Sequence, residues 1–141
     1  METGGPFVIV VDTNVICYRW IRSPHSDTAD KALAKDPDWI APFLWRSEFR
    51  NALAMVLRQK LISIDAAIDL IEKAEARLAT REFFISSRAI LQLVGKSRCS
   101  AYDCEFVALA QEYQVPLVTV DRQILREFSS TAISLAEFAG S

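Results

Sequence analysis

Asp12, Glu48, Asp103 and Asp121 are the residues of this chain whose type and placement suit chemistry. Asp12 ends the apolar run Phe7-Val8-Ile9-Val10-Val11, and Asp121 ends a second run, Leu117-Val118-Thr119-Val120. Glu48 and Asp103 fall inside stretches with the apolar spacing of partly buried helices. A carboxylate beside a core costs free energy unless a cation or hydrogen bonds compensate it. Four converging carboxylates repel one another, and a divalent cation is the simplest agent that stabilises such a cluster. Oxygen-only ligand sets suit Mg²⁺ or Mn²⁺. The pattern therefore suits metal-assisted chemistry on a phosphate ester.

Taken singly, each acid has a plainer explanation. Asp12 and Asp121 stand where an aspartate would cap a following helix. Glu48 would be a solvated helical glutamate, although Trp45 and Ala52 at i−3 and i+4 share its face. Asp103 has Phe106, Val107 and Ala110 on its side of the helix. Convergence of the set on one point is more economical than four separate explanations.

The elements that must position these acids are read from periodicity and turn chemistry. Residues 7–11 form a strand buried on both faces. A helix from Asp12 or Thr13 to about Ile21 ends at Ser23-Pro24-His25, and a second covers 26–35. Trp39-Ile40-Ala41 is a short strand. Helices over 43–59 and 63–79 follow, then a strand at Phe83-Phe84-Ile85, a helix over 87–95 and another from Ser100 to Tyr113. Leu117–Val120 is a strand, a short helix starts near Arg122, and Thr131–Leu135 is a last strand. Alternating strands and helices predict an α/β fold with a mainly parallel sheet and helices on both faces, as one domain over 1–141. In such a sheet, sites form at the carboxyl ends of strands, where Asp12 and Asp121 fall.

Composition narrows the classes. The chain has 141 residues, of which 51% are hydrophobic and 24% charged, so a sizeable core is available. A net charge of −2 and a pI near 5.4 argue against a charge-driven DNA coat protein. Cys17, Cys99 and Cys104 form no paired motif, which argues against a disulfide framework or a zinc site and for reduced thiols in the cytoplasm. Met1–Pro6 has no basic leader, and no apolar run approaches the ~18 residues of a membrane span. With four glycines and no Walker loop, a Gly-rich phosphate cradle has little to work with. A strand-end phosphotransfer aspartate of the haloacid-dehalogenase type wants a second Asp where this chain has Asn14. His25 is the sole histidine, which excludes catalysis by paired imidazoles.

Four stretches, in order, carry a resemblance: Val10-Val11-Asp12-Thr13-Asn14-Val15, Ser47-Glu48-Phe49-Arg50-Asn51-Ala52-Leu53, Ser100-Ala101-Tyr102-Asp103 through Ala110, and Pro116-Leu117-Val118-Thr119-Val120-Asp121-Arg122. The chain resembles PIN-domain ribonucleases, most of all the VapC toxins of bacterial toxin–antitoxin pairs. The resemblance implies a PIN-like three-layer α/β/α sandwich and a Mg²⁺- or Mn²⁺-dependent endoribonuclease with Asp12, Glu48, Asp103 and Asp121 as metal ligands and catalytic acids. It implies Asn14 and Thr119 as polar groups behind them, an antitoxin partner and a homodimer. Alternatives are an RNA-processing PIN nuclease without an antitoxin and a non-catalytic PIN-like binding module. Arg46, Arg50 and Arg122, beside the motifs, are the leading cations for RNA phosphates, with Arg19, Arg22 and Arg98 behind them. Trp20, Trp39 and Trp45 are aromatic candidates for base stacking, Trp39 and Trp45 being better suited to packing. Glu105 is expected on the solvated side of its helix, away from Asp103.

Overall fold

The computed structural model describes residues 8–140. Its strands are β1 (Val8–Val11), β2 (Asp38–Pro42), β3 (Glu82–Phe83), β4 (Leu117–Thr119) and β5 (Ala132–Ser134). The helices are α1 (Thr13–Trp20), α2 (Ser26–Lys35), α3 (Leu44–Arg58), α4 (Ile64–Leu78), α5 (Ser87–Gly95), α6 (Ala101–Tyr113), α7 (Arg122–Glu127) and α8 (Leu135–Gly140). The expected start of β1 at Phe7 and the leader reading of Met1–Pro6 lie outside the described residues.

All strand pairs are parallel, in the order β3-β2-β1-β4-β5. The chain first steps from β1 outward to β2 and β3, then crosses back to β4 on the other side of β1. Right-handed crossovers in opposite directions put their helices on opposite faces. One layer holds α1, α3 and α4 in mutual contact, with α2 and α8 beside them. The other holds α5 against α6, which spans β1, β2 and β4. The result is a three-layer α/β/α sandwich, as the sequence predicts.

β1 and β4 are buried on both sides, and Val10, Val11, Leu117 and Val118 are fully enclosed. This explains their unbroken apolar runs. Trp39, Trp45, Phe49 and Phe106 fill the space between sheet and helices. Trp39 and Trp45 are therefore core residues.

Strand ends shift by a residue or two from expectation, most of all at the third strand. The third strand is Glu82–Phe83, paired to Ala41 and Pro42, and Phe84 projects beyond it. An edge strand needs only one partner, so two residues suffice. The sequence reading also missed α8, whose six residues are too few to show helical periodicity.

Candidate active site

The strand order reverses between β1 and β4, and a parallel sheet opens a crevice at that point at its carboxyl edge. Asp12 follows β1 and is 9% exposed. Its Oδ1 accepts the Thr13 N–H at 2.7 Å, and its Oδ2 accepts the Thr119 hydroxyl at 2.7 Å. An ordinary N-cap accepts from the second or third helical N–H. Asp12 accepts from the first, and both of its oxygens are fixed.

Thr119 closes β4 and is fully buried. Its hydroxyl donates to Asp12 and accepts the Asp121 N–H at 3.0 Å. One threonine thus ties the ends of β1 and β4 together. Asp121 Oδ1 accepts the Ile124 N–H at 3.0 Å and caps α7. Its other oxygen has no hydrogen-bond partner among the described residues.

Glu48 reaches the crevice from the second turn of α3, where its Oε1 accepts the Thr13 hydroxyl at 2.6 Å. Asp103 lies in the first turn of α6. Ser100 caps that helix by accepting the Asp103 N–H at 3.0 Å. This cap holds the Asp103 backbone at the helix end.

Their electrostatics couple the four acids. Burial pushes Asp12 up to about 6, against hydrogen bonds from Thr119 and Thr13, and the charges of Glu48 and Asp103 push the same way. Burial also raises Glu48, with Asp103 and Glu105 adding to it. Asp103 is raised by burial and then by Asp121. Cys17, behind the site on α1, is pushed up to about 12 by burial and by the charges of Asp12 and Glu48, so it stays a thiol. None of the ion pairs among the described residues uses any of the four acids.

Among the described residues these four carboxylates have no cationic partner, and oxygen donors of this type suit a hard divalent cation. Among the described residues no three carboxylate, thiol or imidazole groups stand ready to share an ion, so binding one requires side-chain movement. A cavity of about 810 Å³ lies elsewhere, lined by Gln111, Gln114, Pro116, Thr131 and Glu137 among others. It contains none of the four acids.

A family model described as the PIN domain matches residues 9–130. The chain belongs to the PIN-domain family. Two solved structures share the fold. PAE2754 from Pyrobaculum aerophilum is 19% identical with a TM-score of 0.69, over 96% of this chain and 98% of that one. FitAcB from Neisseria gonorrhoeae is 17% identical with a TM-score of 0.71, over 90% of this chain and 97% of that one. No curated protein matches the chain.

Within this PIN domain the other sequence candidates fall in different places. Asn14 is exposed on the first turn of α1, and its side chain makes no hydrogen bond among the described residues. The Arg46 guanidinium is engaged twice by Glu82, Nε to Oε2 at 2.6 Å and Nη2 to Oε1 at 2.8 Å, and lies 3.3 Å from Glu75. Trp45 Nε1 donates to the same Glu82 at 2.7 Å. Arg46 thus clamps α3 to α4 and β3 through Glu75 and Glu82. Arg50 is mostly exposed, 3.9 Å from Glu75. Arg122 is exposed at the start of α7, directly after Asp121.

Two residues were misjudged from sequence. Thr13, read only as a possible cap, holds Glu48. Glu105, expected on a solvated face, is half-buried and its charge acts on Glu48. A helical wheel turns Glu105 away from Asp103 but is silent on Glu48, which arrives from another helix.

Proposed function

We propose that this PIN domain is a metal-dependent endoribonuclease, the toxin of a VapC-type toxin–antitoxin pair. The observation that supports the reading is the electrostatic coupling of Asp12 with Glu48 and Asp103, and of Asp103 with Asp121, at the β1/β4 crevice, where none of the four acids is in an ion pair among the described residues. The four acids would hold Mg²⁺ or Mn²⁺. Held there, such an ion would neutralise charge on a phosphodiester and lower the pKa of an attacking water.

The chain's own residues supply position. Thr119 and the Thr13 N–H fix both oxygens of Asp12, the Thr13 hydroxyl fixes Glu48, and the α6 cap fixes Asp103. These bonds orient the carboxylates, and side-chain movement then brings them onto one ion. Water attack, in place of attack by the 2′-hydroxyl, leaves a 5′-phosphate and a 3′-hydroxyl. Arg122 and Arg50 are the cations offered to flanking phosphates. The partners of this reading are an RNA substrate, a cognate antitoxin and a second copy of the chain, all in the cytoplasm. Among the described residues no helix is long and apolar enough to cross a membrane.

The test is incubation of the purified, partner-free protein with total RNA and Mg²⁺ or Mn²⁺, beside Asp12→Asn and EDTA controls, with mapping of new 5′ ends. Discrete 5′-phosphate ends made only by the wild type with metal support the reading. Cleavage that persists in EDTA or in Asp12→Asn overturns it.

A further inference from the structure

Phe84 is 87% exposed, the most exposed large apolar side chain among the described residues. Its ring stacks on Phe43, with centroids 4.5 Å apart and planes at 25°. One face of the pair is therefore already filled by an aromatic ring, and the other is open to solvent. A single exposed apolar residue needs no explanation. A near-parallel aromatic pair at the rim of a crevice is a different matter, because it presents a flat, preorganised surface.

Strand register places this pair relative to the acids. Val10 pairs with Ile40, so Asp12 lies level with Pro42, and Phe43 is one residue beyond. Pro42 in turn pairs with Phe83, and the Phe43 N–H donates to the Phe83 carbonyl at 3.1 Å. Phe43 and Phe84 thus extend the same carboxyl edge that carries Asp12, one and two strands away. Adjacent strands are spaced about 4.8 Å, so the shelf lies roughly 5–10 Å along the rim from the end of β1. Phe43 also precedes α3 directly, the helix that delivers Glu48.

We infer that Phe84, backed by Phe43, is a stacking shelf for an unpaired nucleobase a nucleotide or two from the bond held at the acids. This rests on the nuclease reading and deepens it, because it fixes the substrate as single-stranded at that position. Stacking on an aromatic ring is how unpaired bases are commonly held, since every base has a π-face. A duplex keeps its bases stacked on one another and has none to offer. Phe84 acts here as a binding residue, and Phe43 as a positioning residue beneath it.

The experiment separates binding from cleavage. A fluorescein-labelled 12-nucleotide oligoadenylate, single-stranded or annealed to its complement, is titrated into Asp12→Asn protein that carries Phe84 or Phe84→Ala. The same Phe84 variants with Asp12 intact are assayed for cleavage of a mapped RNA. All are run in sedimentation. The expected result is roughly tenfold weaker binding of the single strand by Phe84→Ala, retention by Phe84→Trp, no dependence on Phe84 for the duplex, and KM raised more than kcat is lowered. Unchanged binding and unchanged KM in Phe84→Ala overturn the shelf while leaving the nuclease intact. Binding that depends on Phe84 in a wild type that cuts no RNA keeps the shelf and overturns the nuclease. A change of oligomeric state in Phe84→Ala assigns the face to a second copy of the chain and overturns the shelf.

Discussion

The Thr13 hydroxyl lies 2.6 Å from Glu48 Oε1, joining the first residue of α1 to the second turn of α3. The same residue's N–H lies 2.7 Å from Asp12 Oδ1. One threonine therefore holds two acids, one through its backbone and one through its side chain.

Thr13→Val removes only the side-chain bond, with nearly the same volume. Groups that orient metal-binding residues are typically worth 10–100-fold in affinity or activity. Thr13→Val is expected to lower Mn²⁺ affinity and RNA cleavage by about that factor, and Thr13→Ser to recover most of it. Calorimetric titration of Mn²⁺ gives a readout independent of turnover. Equal Mn²⁺ affinity in wild type and Thr13→Val would remove Thr13 from the site.

The acid cluster sets a pH dependence of stability. Asp12 is raised from 3.8 to about 6 in the folded protein, mainly by burial. A raised carboxyl favours the folded state while protonated, so this contribution is full below about pH 4 and is lost as pH rises through 6. The shift corresponds to about 3 kcal/mol, or roughly 5–10 °C in Tm for a chain of this size. Glu48 and Asp103 are shifted in the same direction. The metal-free protein is expected to lose stability between about pH 4 and 6.5, and Asp12→Asn to lose markedly less. Melting curves of both proteins across that range decide it.

Metal addition reverses the same effect. At pH 7.5 an ion that binds only the folded protein raises Tm by mass action. Saturating Mg²⁺ or Mn²⁺ is expected to raise the wild-type Tm by several degrees and that of Asp12→Asn by little. An equal rise in both would place binding elsewhere on the surface.

Arg46 and Arg122 separate structure from substrate. Glu82 has a side chain only 4% exposed and depends on Arg46 and Trp45 for its charge compensation. Arg46 is itself about a third exposed, so Arg46→Ala is expected to cost about 2–3 kcal/mol, somewhat less than breaking a fully buried pair. Arg122→Ala, at an exposed position, is expected to leave Tm within about a degree and to weaken RNA binding, with a smaller salt dependence. Thermal melts and RNA titrations at two salt concentrations, run on both variants, make the distinction.

The strand-end acids were legible because they depend on local pattern. An unbroken apolar run followed by Asp marks β1 and Asp12, and a second such run marks β4 and Asp121. The parallel sheet followed from the alternation of element types. The roles of Arg46 and Thr13 were not legible, since their partners lie 36 and 35 residues away in the chain. Sequence spacing shows which face of a helix a residue occupies, and not which element meets that face. The same limit hid Glu105 beside Glu48, and the outward projection of Phe84 looked like one more strand residue.

The bond from Thr119 to Asp12 spans 107 positions of the chain. During synthesis, β1, β2 and β3 can emerge and pair while β4 is still inside the ribosome. Until β4 emerges, Asp12 lacks the hydroxyl that fixes one of its oxygens, and Asp121 is not yet in place beside it. The four-acid centre is thus among the last features the chain acquires. A chain truncated before residue 117 carries most of the core and three of the four acids, but neither the Thr119 that fixes Asp12 nor Asp121.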